Sequence, residues 1–167
     1  MPNLLIRPAT LADAAAFAAI YNPYVATTTI SFEEIEVAAD DMARRIEHTL
    51  EAGLPWLVVE TSGEVMGYAY ASKWKERSAY RHSVESSIYL REDAAGKGLA
   101  RPLYEALLSR LRAQGVHAVM GGITQPNEAS VRFHERFGFR QVALFPEVGY
   151  KFGRWIDVGY WQLLLNR

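Results

Sequence analysis

Arg91-Glu92-Asp93-Ala94-Ala95-Gly96-Lys97-Gly98-Leu99-Ala100-Arg101 is the stretch that decides how this chain is read. Before it, Ser83 to Leu90 alternates as a strand; after it, Leu99, Leu103, Leu107 and Leu111 recur at helical spacing, with Pro102 acceptable in the first turn. The stretch is therefore a glycine-rich turn joining a strand end to a helix start. Such a junction aims unpaired backbone N–H groups and the positive end of the helix at one point, and Gly96, Gly98 and Ala100 leave space for a ligand against the main chain. A diphosphate fits that description. Charge-assisted bonds of about 1.5–3 kcal/mol each, spread over several amides, hold it without a large basic patch. Lys97 and Arg101 are auxiliary cations or solvated charges. Two familiar phosphate loops do not match: Gly98 follows Lys97 where a P-loop needs Ser or Thr, and Arg101 stands where a dinucleotide fingerprint needs glycine.

Working back from the turn, the alternation of Ser83–Leu90 puts Val84, Ser86, Ile88 and Leu90 on one face and Glu85, Ser87 and Tyr89 on the other, so a carboxylate sits mid-strand. The charged loop Lys73 to His82 feeds that strand. Trp56–Glu60 and Val65–Ala71 are strands around the turn Thr61-Ser62-Gly63-Glu64, which predicts a hairpin. Met42, Ile46 and Leu50 mark a helix closed by Gly53 and Pro55, and a polar stretch, Thr27 to Glu34, precedes it. Leu4–Arg7 is a strand, and Thr10 with Asp13 caps an Ala-rich helix expected to stop near Asn22-Pro23. Working forward, Val116–Ile123 is a strand, Asn127–Phe137 a helix, and two strands close the chain. The class is α/β or α+β.

The chain of 167 residues, half of them hydrophobic, argues for one domain over 1–167 with a proper core. A formal charge of -1 gives no bulk attraction to nucleic acid or anionic lipid, so neither is an expected partner. The absence of Cys removes disulfides, thiolate nucleophiles and Cys-ligated zinc, and it suits a reducing compartment. The opening MPNLLIRPAT has no leader core, and a cytoplasmic protein is expected. His48, His82, His117 and His134 show no ligand spacing, so no metal is expected, and no G-x-S-x-G elbow marks a hydrolase.

The turn resembles the [Q/R]-x-x-G-x-[G/A] signature of the GCN5-related N-acetyltransferase (GNAT) superfamily, matched at Gly98 and Ala100 and departed from at Ala95. Asn127, Ser130 and His134 share a helical stripe, Asn127 suits an N-cap, and with Gly138-Phe139 they are similar to that family's later N-x-x-S-x-x-x-[Y/H]-x-x-x-G-F segment. Residues 79–90 and 149–157 resemble the phosphinothricin and methionine sulfoximine acetyltransferase branch. The resemblance implies a mixed, mostly antiparallel sheet of about seven strands with a splayed parallel pair, flanked by about four helices. It also implies acetyl transfer from acetyl-CoA to the α-amine of a small amino-acid-like substrate, in a homodimer. A GNAT enzyme acting on protein N-termini or lysines, and a CoA-binding module without turnover, are the alternatives.

The resemblance assigns roles to particular residues. Ile88, Tyr89 and Leu90 contact the cofactor's pantetheine arm through the strand edge, Gly96, Lys97, Gly98, Leu99, Ala100 and Arg101 hold the diphosphate, and Asn127 and Ser130 border the arm. Glu85 is the candidate base. An α-amine with a reference pKa near 8 needs only about 1.4 kcal/mol to lose its proton at pH 7, so a modest base suffices. Read without the resemblance, Glu85 is first an ordinary strand carboxylate paired with Arg77 or Arg81, and it is the family context of Val84-Glu85-Ser86 that turns the reading to a base. His134 occupies the place where many relatives carry a Tyr that protonates the departing thiolate; as a lone helical His it also reads as structural. Lys75, Glu76, Arg77, Arg81, Glu85, Ser86 and Ser87 are the expected substrate contacts, backed by Phe32 and Glu33, and Trp74 or Tyr80 can wall the pocket.

Overall fold

Seven strands account for the alternating segments: β1 (Leu4–Pro8), β2 (Trp56–Thr61), β3 (Glu64–Lys73), β4 (Ser83–Leu90), β5 (Ala118–Thr124), β6 (Arg140–Lys151) and β7 (Arg154–Leu164). The computed structural model describes residues 3–166 and joins these strands into one sheet in the order β1-β2-β3-β4-β5-β7-β6. Four helices cover it: α1 (Ala14–Thr27), α2 (Ala39–Glu51), α3 (Ala100–Ala113) and α4 (Glu128–Arg136). Alternation along β2 divides the interior. Trp56 and Val58 pack with Phe17, Met42 and Ile46 of α1 and α2, while Leu57 and Val59 pack with Leu103, Leu107 and Leu111 of α3. Among the described residues no helix is long and apolar enough to cross a membrane.

The first helix passes the expected stop at Asn22-Pro23 and continues to Thr27. Pro23 has no N–H to donate, which ordinarily breaks a helix. Here the hydroxyl of Thr27 donates to the Pro23 carbonyl at 2.8 Å and that of Thr28 to the Tyr24 carbonyl at 2.7 Å, closing the last turn. The Asn22 side chain bonds both backbone groups of Val37, at 2.8 and 2.9 Å, and Tyr21 and Val25 are buried. Packing thus outweighs the single lost bond. In α2, Met42 and Ile46 are buried as expected, whereas Leu50 is exposed and Thr49 is buried instead.

Every strand pair is antiparallel except β4 with β5. These two share only three rungs, Ser83↔Ala118, Val84↔Val119 and Glu85↔Met120. Beyond Glu85 they part: β4 stays paired with β3 as far as Leu90, and β5 stays paired with β7 as far as Thr124. The sheet therefore forks at its centre. The Ser83 carbonyl and the Arg91 N–H are both directed at the β3 side, to Trp74 N and Met66 O. Because backbone groups alternate along an antiparallel pair, those of Ser86, Ile88 and Leu90 face the open edge of the fork.

Candidate active site

Glu85 sits at the branch point, on the last rung that holds β4 to β5. A cavity of about 980 Å³ runs through the fork, bordered by Glu85, Ser87 and Tyr89 on one face of the sheet and by Ser130 and His134 of α4 on the other. A group entering from either side therefore meets the same carboxylate. Burial pushes the Glu85 carboxyl above the usual carboxylate range, and the nearby Lys75 ammonium opposes that shift. Among the described residues no ion pair joins Glu85 to Arg77 or Arg81. Its acidity is therefore set mainly by loss of water.

On the α1 side the walls are aromatic. Phe32 and Trp74 line the cavity as expected, and Tyr160, Phe145, Val148 and Tyr21 join them without having been legible in the sequence. Trp74 and Tyr160 meet edge to face with ring centres 5.3 Å apart. Tyr160 lies over Gly122, where a Cβ would approach its ring to 3.1 Å. Lys75 lines the cavity with its ammonium 4.9 Å from the Trp74 ring centre. Three expected substrate contacts do not reach it: Glu76, Arg77 and Arg81 are exposed outside the lining, and Arg81 donates instead to the Ser78 carbonyl at 3.1 Å. Tyr80 also lies outside. A short 3-10 turn at Ser78–Tyr80 carries this part of the loop away from the fork.

Ser31, Phe32 and Glu33 form a continuous piece of wall. The Glu33 carboxylate accepts two bonds from the Arg45 guanidinium, at 2.9 and 2.5 Å, and one from the Tyr21 hydroxyl. Because that carboxylate only accepts, the Ser31 hydroxyl must donate to Tyr21 across their 2.6 Å contact. Arg45 holds the Glu33 carboxyl below the usual range, so its negative charge is already matched. Lys75 is left as the cation lining the cavity.

On the α4 side, Asn127 caps its helix by accepting from Ser130 N at 3.2 Å, and His134 is buried against Gly121, where a Cβ would stand 2.9 Å from the ring. His134 Nδ1 is 2.8 Å from the Ser130 carbonyl oxygen, which can only accept, so Nδ1 carries the proton and Nε2 of the neutral ring is bare. Burial lowers its pKa, and the bond to Ser130 opposes that only in part. A neutral ring of this tautomer accepts at Nε2 and has no proton there to give. The acid role expected for His134 is therefore poorly served. Ser86 also departs from expectation, since its hydroxyl is turned to the Tyr104 hydroxyl of α3, 2.6 Å away, on the face opposite Glu85.

The backbone edge and the glycine turn have the character the sequence implied, with one exception. The Leu90 carbonyl accepts from the Tyr24 hydroxyl at 2.5 Å and the Ser86 N–H closes the last rung to β5, which leaves the Ser86 carbonyl and the backbone groups of Ile88 facing the fork. Ile88 and Tyr89 line the cavity, while residues 96–101 lie outside it at the C-terminal end of β4. Gly96 and Gly98 have φ of +76° and +73°; among the described residues a Cβ at either would meet no atom within 4 Å, and both glycines are exposed. Among the described residues Lys97 N donates to the Ala94 carbonyl at 3.3 Å, whereas the N–H groups of Gly98, Leu99, Ala100 and Arg101 have no backbone acceptor. Arg101 is paired with Glu105 at 2.9 Å. Unpaired amides at an open helix start, beside a free strand edge, fit a long ligand with a diphosphate at one end.

Residues 6–159 match the family model described as the acetyltransferase (GNAT) domain, and the chain belongs to that family. It is 42% identical over 157 residues to a phosphinothricin N-acetyltransferase of Streptomyces viridochromogenes, covering 94% of this chain and 85% of the relative. It is 40% identical over 162 residues to an L-methionine sulfoximine/L-methionine sulfone acetyltransferase of Pseudomonas aeruginosa, covering 96% and 94%. The solved structure of an acetyltransferase from Salmonella typhimurium with its cofactor acetyl-CoA superposes with a TM-score of 0.94 at 38% identity, over 98% of this chain and 95% of that one. The mixed seven-stranded sheet with its forked parallel pair and four helices is thus the GNAT fold the turn pointed to.

Proposed function

We propose that this protein transfers the acetyl group of acetyl-CoA to the α-amine of small amino acid analogues of the phosphinothricin, methionine sulfoximine and methionine sulfone type, with Glu85 as the base. The observation that carries this is the position of Glu85 at the fork, in a cavity that reaches both faces of the sheet. When bound, acetyl-CoA supplies an activated acetyl thioester open to direct attack by a neutral amine. The amides of residues 98–101 hold its diphosphate, and the Ser86 carbonyl with the backbone groups of Ile88 aligns its arm along β4. Asn127 and Ser130 flank that arm from α4.

Glu85 attracts the ammonium form of the acceptor and takes one proton from it, leaving the neutral amine whose lone pair forms the N–C bond as the C–S bond breaks; the second proton passes to the departing sulfur. Burial raises its pKa above the ordinary carboxylate range, which makes it a stronger base for that transfer. Lys75 at the cavity mouth pairs with the acceptor's carboxylate, and Phe32, Trp74 and Phe145 enclose its side chain. A cavity walled by aromatic side chains with one lysine favours a free amino acid analogue over a protein N-terminus or lysine. The departing thiol, with a reference pKa near 8.5, needs little help, so the bare Nε2 of His134 is no obstacle.

Two copies associate through the β6–β7 hairpin. Its Val142, Leu144, Val148, Tyr150, Phe152 and Trp155 are large apolar side chains, each more than half exposed, and such a patch on a small protein usually marks an interface. Sedimentation checks this: Trp155→Glu is expected to shift the protein toward monomer. A reducing cytoplasm suits a chain without Cys.

The test is thiol release from acetyl-CoA over a panel of the three analogues and of peptides with free N-termini. Release with the analogues alone supports the proposal. Release only with peptides moves the protein to the second class of acceptor. Acetyl-CoA binding without release in any case leaves a binding module.

A further inference from the structure

Three consecutive residues of the irregular loop between α1 and α2, Ser31, Phe32 and Glu33, face the cavity, and each is held from a distance. Arg45 and Tyr21 hold Glu33, as described above. The other two are held by the far hairpin. Lys151 Nζ donates to the Ser31 carbonyl at 2.6 Å, across 120 residues of sequence. The Phe32 ring rests on Gly149, where a Cβ would lie 2.3 Å from a ring carbon.

Neither hairpin residue is explained by backbone shape. Lys151 is only 2% exposed; among the described residues its ammonium makes a single hydrogen bond, with the Phe152 ring centre 5.2 Å away, and is attracted by the Glu34 and Glu33 carboxylates. A buried ammonium carries a large desolvation penalty, and an apolar side chain of similar volume is commonly at least as stable. What the ammonium adds is a directional bond to one carbonyl. Gly149 does not adopt a left-handed φ, so glycine is there for the space above it. The space is filled by a side chain of the cavity wall.

We infer that Lys151 and Gly149, which do not themselves line the cavity, are positioning residues that set where Ser31 and Phe32 stand and so which acceptor fits. The inference rests on reading this cavity as the acceptor site. Lys151 fixes the main chain at the wall, and Gly149 fixes the depth to which the Phe32 ring withdraws. The same hairpin also supplies Phe145 and Val148 to the cavity directly, so its bulged segment shapes the acceptor side twice over.

The full-length protein tests this with methionine sulfoximine as acceptor and acetyl-CoA binding followed by calorimetry. Lys151→Met is expected to raise the acceptor KM about 10-fold, equivalent to about 1.4 kcal/mol, with kcat and acetyl-CoA affinity unchanged within about twofold. Gly149→Ala is expected to raise the same KM, and Phe32→Leu in that background to recover most of the loss, a non-additivity that a general loss of folding would not produce. An unaltered acceptor KM in a Lys151→Met protein that still binds acetyl-CoA overturns the inference. So does a Gly149→Ala defect that Phe32→Leu leaves untouched, and this pair decides the matter if Lys151→Met fails to bind acetyl-CoA. Wild-type protein that turns over no analogue overturns the acceptor reading and this inference together; wild-type turnover with indifferent variants overturns the inference alone.

Discussion

On the side of the fork proposed for the cofactor the chain presents main-chain groups: the amides of residues 98–101 and the β4 edge at the Ser86 carbonyl and Ile88. On the acceptor side it presents side chains: Phe32, Trp74, Lys75, Phe145 and Tyr160, gathered from four separate segments. Backbone recognition needs little more than a helix start and residues small enough to stay out of the way. Side-chain recognition needs each group braced by another, as Glu33 is by Arg45 and Tyr21, and Ser31 by Lys151. The first kind of site suits a ligand that never changes. The second can be retuned one residue at a time.

The sharpest way to break this comparison is at the point both sides share. Glu85→Gln is expected to lower kcat by about 10²–10³-fold, the usual range for loss of a positioned base, while calorimetry finds acetyl-CoA affinity unchanged. In wild type the rate falls on the acid side of a pKa lying above the ordinary Glu range, because burial raises it, and that limb should vanish in the variant. Thermal unfolding gives an independent sign. A carboxyl whose folded pKa is raised stabilises below its unfolded pKa and loses that contribution as pH rises through the folded one, so Glu85→Gln should melt higher than wild type at neutral pH.

Next in size is the turn. Gly98→Val places a β-branched residue at φ +73°, a conformation such residues avoid, and should raise the acetyl-CoA Kd about 10-fold or more. At saturating acetyl-CoA the acceptor KM should stay where it was; if it moves as well, the two sides are not separable. Arg45→Gln reverses the test. Releasing Glu33 should raise the acceptor KM about threefold to tenfold with acetyl-CoA affinity intact, a modest effect because the Arg45–Glu33 pair is partly exposed to solvent. The smallest effect is expected at His134. With no proton on Nε2, His134→Gln should cost less than about 10-fold in kcat, and a drop near that of Glu85→Gln would restore the acid role.

The same contrast explains what the sequence made legible. The glycine turn, the Asn127 cap and the strand alternation around Glu85 are local patterns, each confined to a few residues, and all are present in the structure. The acceptor wall was legible only where it is local: Lys75 and Trp74 flow into β4, but Arg77, carried over from the family, and Arg81 flank the 3-10 segment and do not line the cavity. Phe145, Val148 and Tyr160 carry no short-range signal, because only pairing of β5, β6 and β7 brings them to the fork, and Tyr21 reaches it only through the packing of α1. The run through Pro23 was missed for the same reason, its compensation coming from Val37 and two threonine hydroxyls outside any helix pattern.

The placement of Glu85 on the last shared rung has a consequence for how relatives of this protein can diverge. A strand side chain reverses sides with each step along the chain, so a one-residue insertion or deletion between Ser83 and Glu85 would put Val84 or Ser86 in place of the carboxylate. The loop just upstream, from Trp74 to His82, is bound by no such parity and can lengthen or shorten freely. Changes in chain length are therefore expected to collect there, altering the choice of acceptor while the position of the carboxylate is inherited intact.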